Sequence, residues 1–172
     1  MSSVFQDAKF TASAAFLTPA AVPSLDQCRR TYEENRHRIY AIAFWMTDNE
    51  LIAEEVMQSS FEQAFALGIF ESEDVDRILL AELQKRVSFE PPSLRCAPST
   101  EVTSARRNTR RVDLERAVVQ LPATEKLVFL MHDVEAYEHD RVGRLLGLTE
   151  RESQNALHQA RLRIRELLAK LS

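Results

Sequence analysis

Six polar side chains, Arg151, Gln154, Asn155, His158, Arg161 and Arg165, recur at helical spacing within LGLTERESQNALHQARLRIRELL, from Leu146 to Leu168. Arginine can grip a phosphate or the acceptor edge of guanine, and Gln or Asn can pair with adenine in a major groove. Glu150 and Glu152 sit beside them at the helix start, where they suit the helix dipole and repel phosphate. On residue types alone the face therefore reads DNA or is simply solvated. A second set, Glu54, Glu55, Gln58 and Glu62, gives a carboxylate-rich helix face, with Phe61 on the apolar stripe beside it. It can meet a basic partner surface or serve as an ordinary solvated face. A third, ARRNTRR, gathers Arg106, Arg107, Arg110 and Arg111. These can pair with nucleic-acid phosphates or merely solubilise the chain.

None of these sets performs a reaction. There is no nucleophile beside a base, no phosphate-cradling glycine loop and no metal-ligand spacing, so no enzyme activity, cofactor or metal is expected. Glu138, His139 and Asp140 form a short run at a helix start, where such residues serve as caps and solvated groups.

The elements that must position these residues are all helices. Glycine occurs only three times among abundant Ala, Leu, Glu, Gln and Arg. Ser24 and Gln27 open a capped first helix, Thr47 to Glu50 (TDNE) reads as a second capping box, and Ser72 is placed to cap a third helix with Val75, Ile78, Leu79 and Leu83 inward. Periodicity then fails in a stretch rich in Pro, Ser and Thr that is too long for an ordinary loop. Helical pattern returns in LERAVVQL and ATEKLVFLMHDV. A short helix, a turn at Gly147 and a longer helix capped by Thr149 and Glu152 then give a helix-turn-helix. The expected organisation is all-α: a mobile tail (1–23), a small helical domain (24–88), a flexible linker (89–112) and a helix-turn-helix domain (113–172).

Charge divides along the same line. Net charge is −4 overall, made of −7 over residues 1–103 and +3 over residues 104–172. An acidic half joined to a basic half suits two different partners or two ordinary solvated surfaces. Cys28 and Cys96 stand apart with no histidine cluster nearby, which fits a reducing cytoplasm, and no apolar run is long enough to span a membrane.

The segment DVEAYEHDRVGRLLGLTERESQNALHQARLRIRELL resembles, without a gap, the fourth conserved region of bacterial sigma factors of the extracytoplasmic-function type. The family's "DVEG" turn stands here as Asp133-Val134-Glu135-Ala136. Its Leu-Gly is Leu146-Gly147, and its Leu-His-Arg-Ala-Arg is Leu157-His158-Gln159-Ala160-Arg161. Upstream, Ala53-Glu54-Glu55-Val56-Met57-Gln58 and Phe61 are similar to the second conserved region, whose acidic helix docks on the clamp helices of the polymerase's largest subunit. The resemblance covers roughly residues 30–70 and 114–168.

It implies a transcription initiation factor with core RNA polymerase, promoter duplex DNA and an anti-sigma protein as partners, and no membrane. Residues 151–165 would read an upstream promoter element, and the linker arginines would lie along the path of nucleic acid. Two departures bear on this. Glu152-Ser153-Gln154-Asn155-Ala156 replaces a more cationic Thr-Val-Lys-Ser-Arg, putting polar Ser153 at a buried position. The third helix, which in the family holds flipped promoter bases with aromatic and basic residues, offers only Phe70 followed by Glu71, Glu73, Asp74 and Asp76. A sigma-like module that docks on polymerase or a regulatory protein without opening promoters is the alternative. A helix-turn-helix repressor with an unrelated N-terminal half is the third reading.

Overall fold

Ser24 caps the first helix as anticipated: its Oγ accepts from the Gln27 N–H at 3.2 Å. The computed structural model describes residues 24–91 and 110–171. The expected tail, most of the expected linker, and Arg106 and Arg107 lie outside the described residues.

Helices α1 (Leu25–Thr47), α2 (Glu50–Ala66) and α3 (Ser72–Gln84) form the N-terminal half. Helices α4 (Arg111–Val119), α5 (Ala123–Phe129), α6 (His139–Leu146) and α7 (Glu150–Leu171) form the C-terminal half, and no strand occurs among the described residues. In that half, α7 packs against α4, α5 and α6. Residues 89–91 and 110–112 of the expected linker are among those described. Phe89 packs on the core, and α4 begins at Arg111 with Arg110 as its N-cap residue.

Two caps differ from expectation. The cap of α2 is Asn49, whose side chain accepts from the Ile52 N–H at 3.1 Å. Thr47 instead ends α1 and donates its hydroxyl to the Ala43 carbonyl, while Asp48 turns the chain at φ 51°. Glu71 precedes α3, and the Ser72 hydroxyl turns inward to donate to Asn35 Oδ1 at 2.9 Å. In both cases the hydroxyl donates to an oxygen elsewhere instead of accepting from the N–H groups of the helix start.

The core runs through both halves. Ile39, Ile42, Val56, Leu79 and Leu83 of the N-terminal half belong to one buried cluster with Leu127, Met131, Val142 and Leu157 of the C-terminal half. A smaller cluster, Ala117, Val118, Leu121, Ala160 and Ile164, seats α4 on α7. The halves meet where α1 packs on α5 and α3 on α6. Helix α5 ends in one wide turn, Leu130–Val134, closed by Glu135 N–H to Leu130 O at 3.0 Å. Ala136 follows at φ 56°, where the resembled family places glycine, at a cost of about 1 kcal/mol. That turn swings Tyr137 inward, where it is 6% exposed.

Candidate functional site

The start of α7 is fixed by a reciprocal cap. Thr149 N–H and its hydroxyl both donate to Glu152 Oε2 at 2.8 Å, and Glu152 N–H donates to Thr149 Oγ1 at 3.2 Å. Those bonds hold the Glu152 carboxyl below its ordinary range, so its charge completes a cap. On the inner side Ala156, Leu157, Ala160 and Ile164 are buried. Arg163 reaches across to the buried Glu125 of α5 at 2.9 Å.

The outer side carries all six anticipated readers. Arg151, Gln154, Asn155, His158, Arg161 and Arg165 are exposed. Their freedom differs. Gln154 donates back to Glu150 at 3.1 Å, a surface bond that water or a base edge can replace. Arg161 forks onto Asp133 at 3.0 and 2.6 Å, tying α7 to the wide turn after α5. Arg161 is half-exposed in that pair, so a phosphate would have to compete with Asp133 for it. Arg151 and Arg165 form no ion pair among the described residues and remain available to a phosphate.

Ser153, at 0% exposure, is satisfied by an element the sequence did not connect to it. His139, the first residue of α6, places Nδ1 at 2.9 Å from Ser153 Oγ. Its ring stacks on His132 with centroids 4.1 Å apart, and His132 Nδ1–H donates to the Tyr137 carbonyl at 2.7 Å. Burial and then the His132 charge push the His139 pKa down, with Arg161 acting the same way against Glu150 and Glu138. A folded pKa below the unfolded one means that the unfolded chain binds more protons between the two values. This contribution to stability is complete above the ordinary imidazole value of 6.5 and is lost as pH falls through it toward the folded value. Urea midpoints measured from about pH 7.5 to about pH 5.5 should fall less steeply for His139→Asn than for wild type. Parallel curves would remove His139 from the account.

On α2, Glu54, Glu55, Gln58 and Glu62 are exposed along one face as expected. Glu55 pairs with Arg86 at 3.6 Å, and Gln58 donates to Glu62 at 2.7 Å. Phe61 lies on the buried stripe as expected: it is 3% exposed, packed edge-on against Tyr32 at 4.9 Å, and supports the face from below. Beside it α1 and α2 enclose an open groove of about 600 Å³, with Arg36, His37, Tyr40, Glu54, Gln58 and Glu62 on its walls. The basic and aromatic α1 side of this groove was missed. It is legible only once α1 and α2 are known to lie side by side.

Arg110 and Arg111 bond to Asp113 and Glu115 of α4 at 3.0 and 2.7 Å, so the structure holds both at a helix start. Asp76 is also corrected. It was expected to belong to an acidic surface on α3, but it is wholly buried between Arg38, Tyr137 and Arg141. The signal was present: Asp76 stands at helical spacing from Leu79, Leu80 and Leu83, on the apolar side. Burial pushes its carboxyl above the ordinary value, against the pull of Arg38, Tyr137 and Arg141. Tyr137 is pushed up too, by burial and by the charge of Asp76. Among the described residues, no group of three or more His, Cys, Asp or Glu is arranged to hold a metal, and no helix is long and apolar enough to cross a membrane.

Comparison with known proteins agrees with this geometry. Residues 111–164 match the family model described as Sigma-70, region 4. The fold is similar to that of the sigma factor RpoE of Bartonella quintana, solved in complex with the anti-sigma factor NepR. The two share a TM-score of 0.60 and 16% sequence identity, over 82% of this chain and 96% of that chain. No curated protein sequence matches the chain.

Proposed function

We propose that this chain, a sigma-70 family protein by its region 4, is a transcription initiation factor that brings core RNA polymerase to promoter DNA. The α7 face enters the major groove of an upstream promoter element. The α2 face, with Glu54, Glu55, Gln58 and Glu62, docks on the clamp helices of the largest polymerase subunit, and Phe61 braces it from beneath. The chain catalyses no reaction itself and works in the cytoplasm, where the polymerase is. Its organisation as two helical domains, 24–88 and 113–172, joined by a linker within 89–112 belongs to the same reading. One observation carries it: within the matched region 111–164, Arg151, Gln154, Asn155 and His158 all face outward from a helix whose start is fixed by a complete cap.

Run-off transcription with bacterial core polymerase on a promoter library tests this reading. Wild type should yield transcripts from a subset of templates. Gln154→Ala should change the preferred base at one or two positions. Arg165→Ala should weaken duplex binding on all sequences and reduce the salt slope by about 1. No transcripts, together with identical duplex binding by wild type and both variants, would remove the groove-docking assignment.

The alternative, a sigma-like module that binds polymerase or a regulatory protein without opening promoters, is favoured by α3. Glu71, Glu73 and Asp74 line its start, and its inner side packs on α1 and α2, with α6 against one edge. Association with core polymerase without transcripts from any template would select it. The co-crystal of RpoE with an anti-sigma factor supports a protein regulator of that kind as a further partner.

A further inference from the structure

Asp76 joins three elements. Arg38 of α1 donates to its Oδ1 at 2.7 Å. The Tyr137 hydroxyl and Arg141 of α6 donate to its Oδ2 at 2.7 and 3.0 Å. Arg141 also sits over the Tyr137 ring, 3.7 Å from guanidinium carbon to centroid. One turn further along α6, Arg144 faces Glu73 of α3 at 3.8 Å and Asp140 of its own helix at 2.7 Å.

Carboxylates of α3 thus take up the cations of α6, the first helix of the helix-turn-helix. In that motif the first helix crosses the DNA backbone while the second enters the groove. A cation on it is placed for phosphate, and here each cation already faces a carboxylate of the other half. The contact is also made in an all-or-none way. A buried carboxylate with three donors is costly to leave half-paired, whereas the fully opened groups regain water.

We propose that the Asp76–Tyr137–Arg141 cluster, with Glu73 and Arg144 beside it, is an autoinhibitory latch in which α3 carboxylates stand in for DNA phosphates, and that its release frees α6 for the duplex backbone. The DNA-binding half of the assigned function is presupposed, but transcript formation is not. Apparent affinity is the intrinsic affinity reduced by the fraction of open molecules, so weakening the latch must strengthen binding.

The test is fluorescence anisotropy of a labelled 30-base-pair random-sequence duplex, titrated with full-length protein at several salt concentrations. Glu73→Gln with Asp76→Asn should bind about tenfold tighter at low salt, with a salt slope steeper by about 1 for the freed Arg141, since Arg144 keeps Asp140. Tyr137→Phe, which keeps net charge and removes only the hydroxyl, should bind about threefold tighter. Arg141→Gln, which breaks the latch but deletes the phosphate contact, should show a slope about one unit shallower than the double variant.

Equal affinity and slope for wild type and Tyr137→Phe would overturn the latch. So would a gain in the double variant matched by neutralising two exposed carboxylates elsewhere, Glu33→Gln with Glu34→Gln. Should the double variant fail to fold by circular dichroism, Tyr137→Phe and Glu73→Gln decide alone, since neither removes a buried charge. Transcripts from wild type with no gain in these variants would sink the latch and leave the initiation role standing. A gain without transcripts would do the reverse.

Discussion

Gly143→Val is expected to lower the stability of the C-terminal half by about 3 kcal/mol and to abolish duplex binding. A Cβ at residue 143 would stand 2.6 Å from the Leu148 carbonyl oxygen, well inside van der Waals contact. That carbonyl belongs to the turn between α6 and α7, and the turn cannot retreat freely. Leu148 N–H is bonded to the Gly143 carbonyl at 2.9 Å, and Gly147 holds the left-handed conformation that makes the corner, at φ 69°. Valine adds two methyl groups with a restricted χ1 in a helix, so the strain must move α6 away from α7. The separation matters because Val142 and Leu157 are buried in one cluster, and because His139 of α6 satisfies buried Ser153 of α7. Urea unfolding followed by circular dichroism measures the loss. Gly147→Ala serves as comparison: open space surrounds that position, so only the left-handed backbone is penalised, by about 1 kcal/mol. A Gly143→Val midpoint equal to that of wild type would show that the turn is looser than described.

The second large effect concerns association. Glu54→Arg combined with Glu55→Arg should weaken binding to core RNA polymerase by at least about a hundredfold, because two attractive contacts become repulsive in a desolvated interface. Fold stability should change by no more than about 0.5 kcal/mol, since both side chains are exposed. The one bond at risk, Glu55 to Arg86 at 3.6 Å, is a surface pair with little energetic weight. Size-exclusion chromatography of protein mixed with core polymerase gives the answer directly. Wild type should co-elute and the double variant should not. Co-elution of both would move the docking surface away from α2. The Arg36, His37 and Tyr40 wall of the adjoining groove would then be the next surface to alter.

These expectations rest on different depths of information. The α7 face was legible from spacing alone, because a helix 22 residues long with a fixed start places every side chain by its number. The cap, the glycine corner and the alternation of Ala156 and Ala160 with polar neighbours are local features, and the structure reproduces each. The exposed carboxylates of α2 followed in the same way. Where the reading failed, the deciding partner was distant in sequence. Ser72 was expected to cap its own helix and instead bonds to Asn35, 37 residues away. Asp76 was read as surface charge and is buried against Tyr137, 61 residues away. For Arg161 the spacing showed only an outward-facing cation, and its fork onto Asp133, 28 residues away, came from the fold.

By itself, then, the order of residues determined which helices form, where they start and which side of each is apolar, because helix periodicity and capping act within a few residues. Only the tertiary structure decided that the two halves close on one another. It alone showed that the cations of the helix-turn-helix are already met by carboxylates of α3. Burial and long-range pairing depend on which faces meet, and a face that spacing marks as polar is assigned to water or to a partner only when the chain has packed.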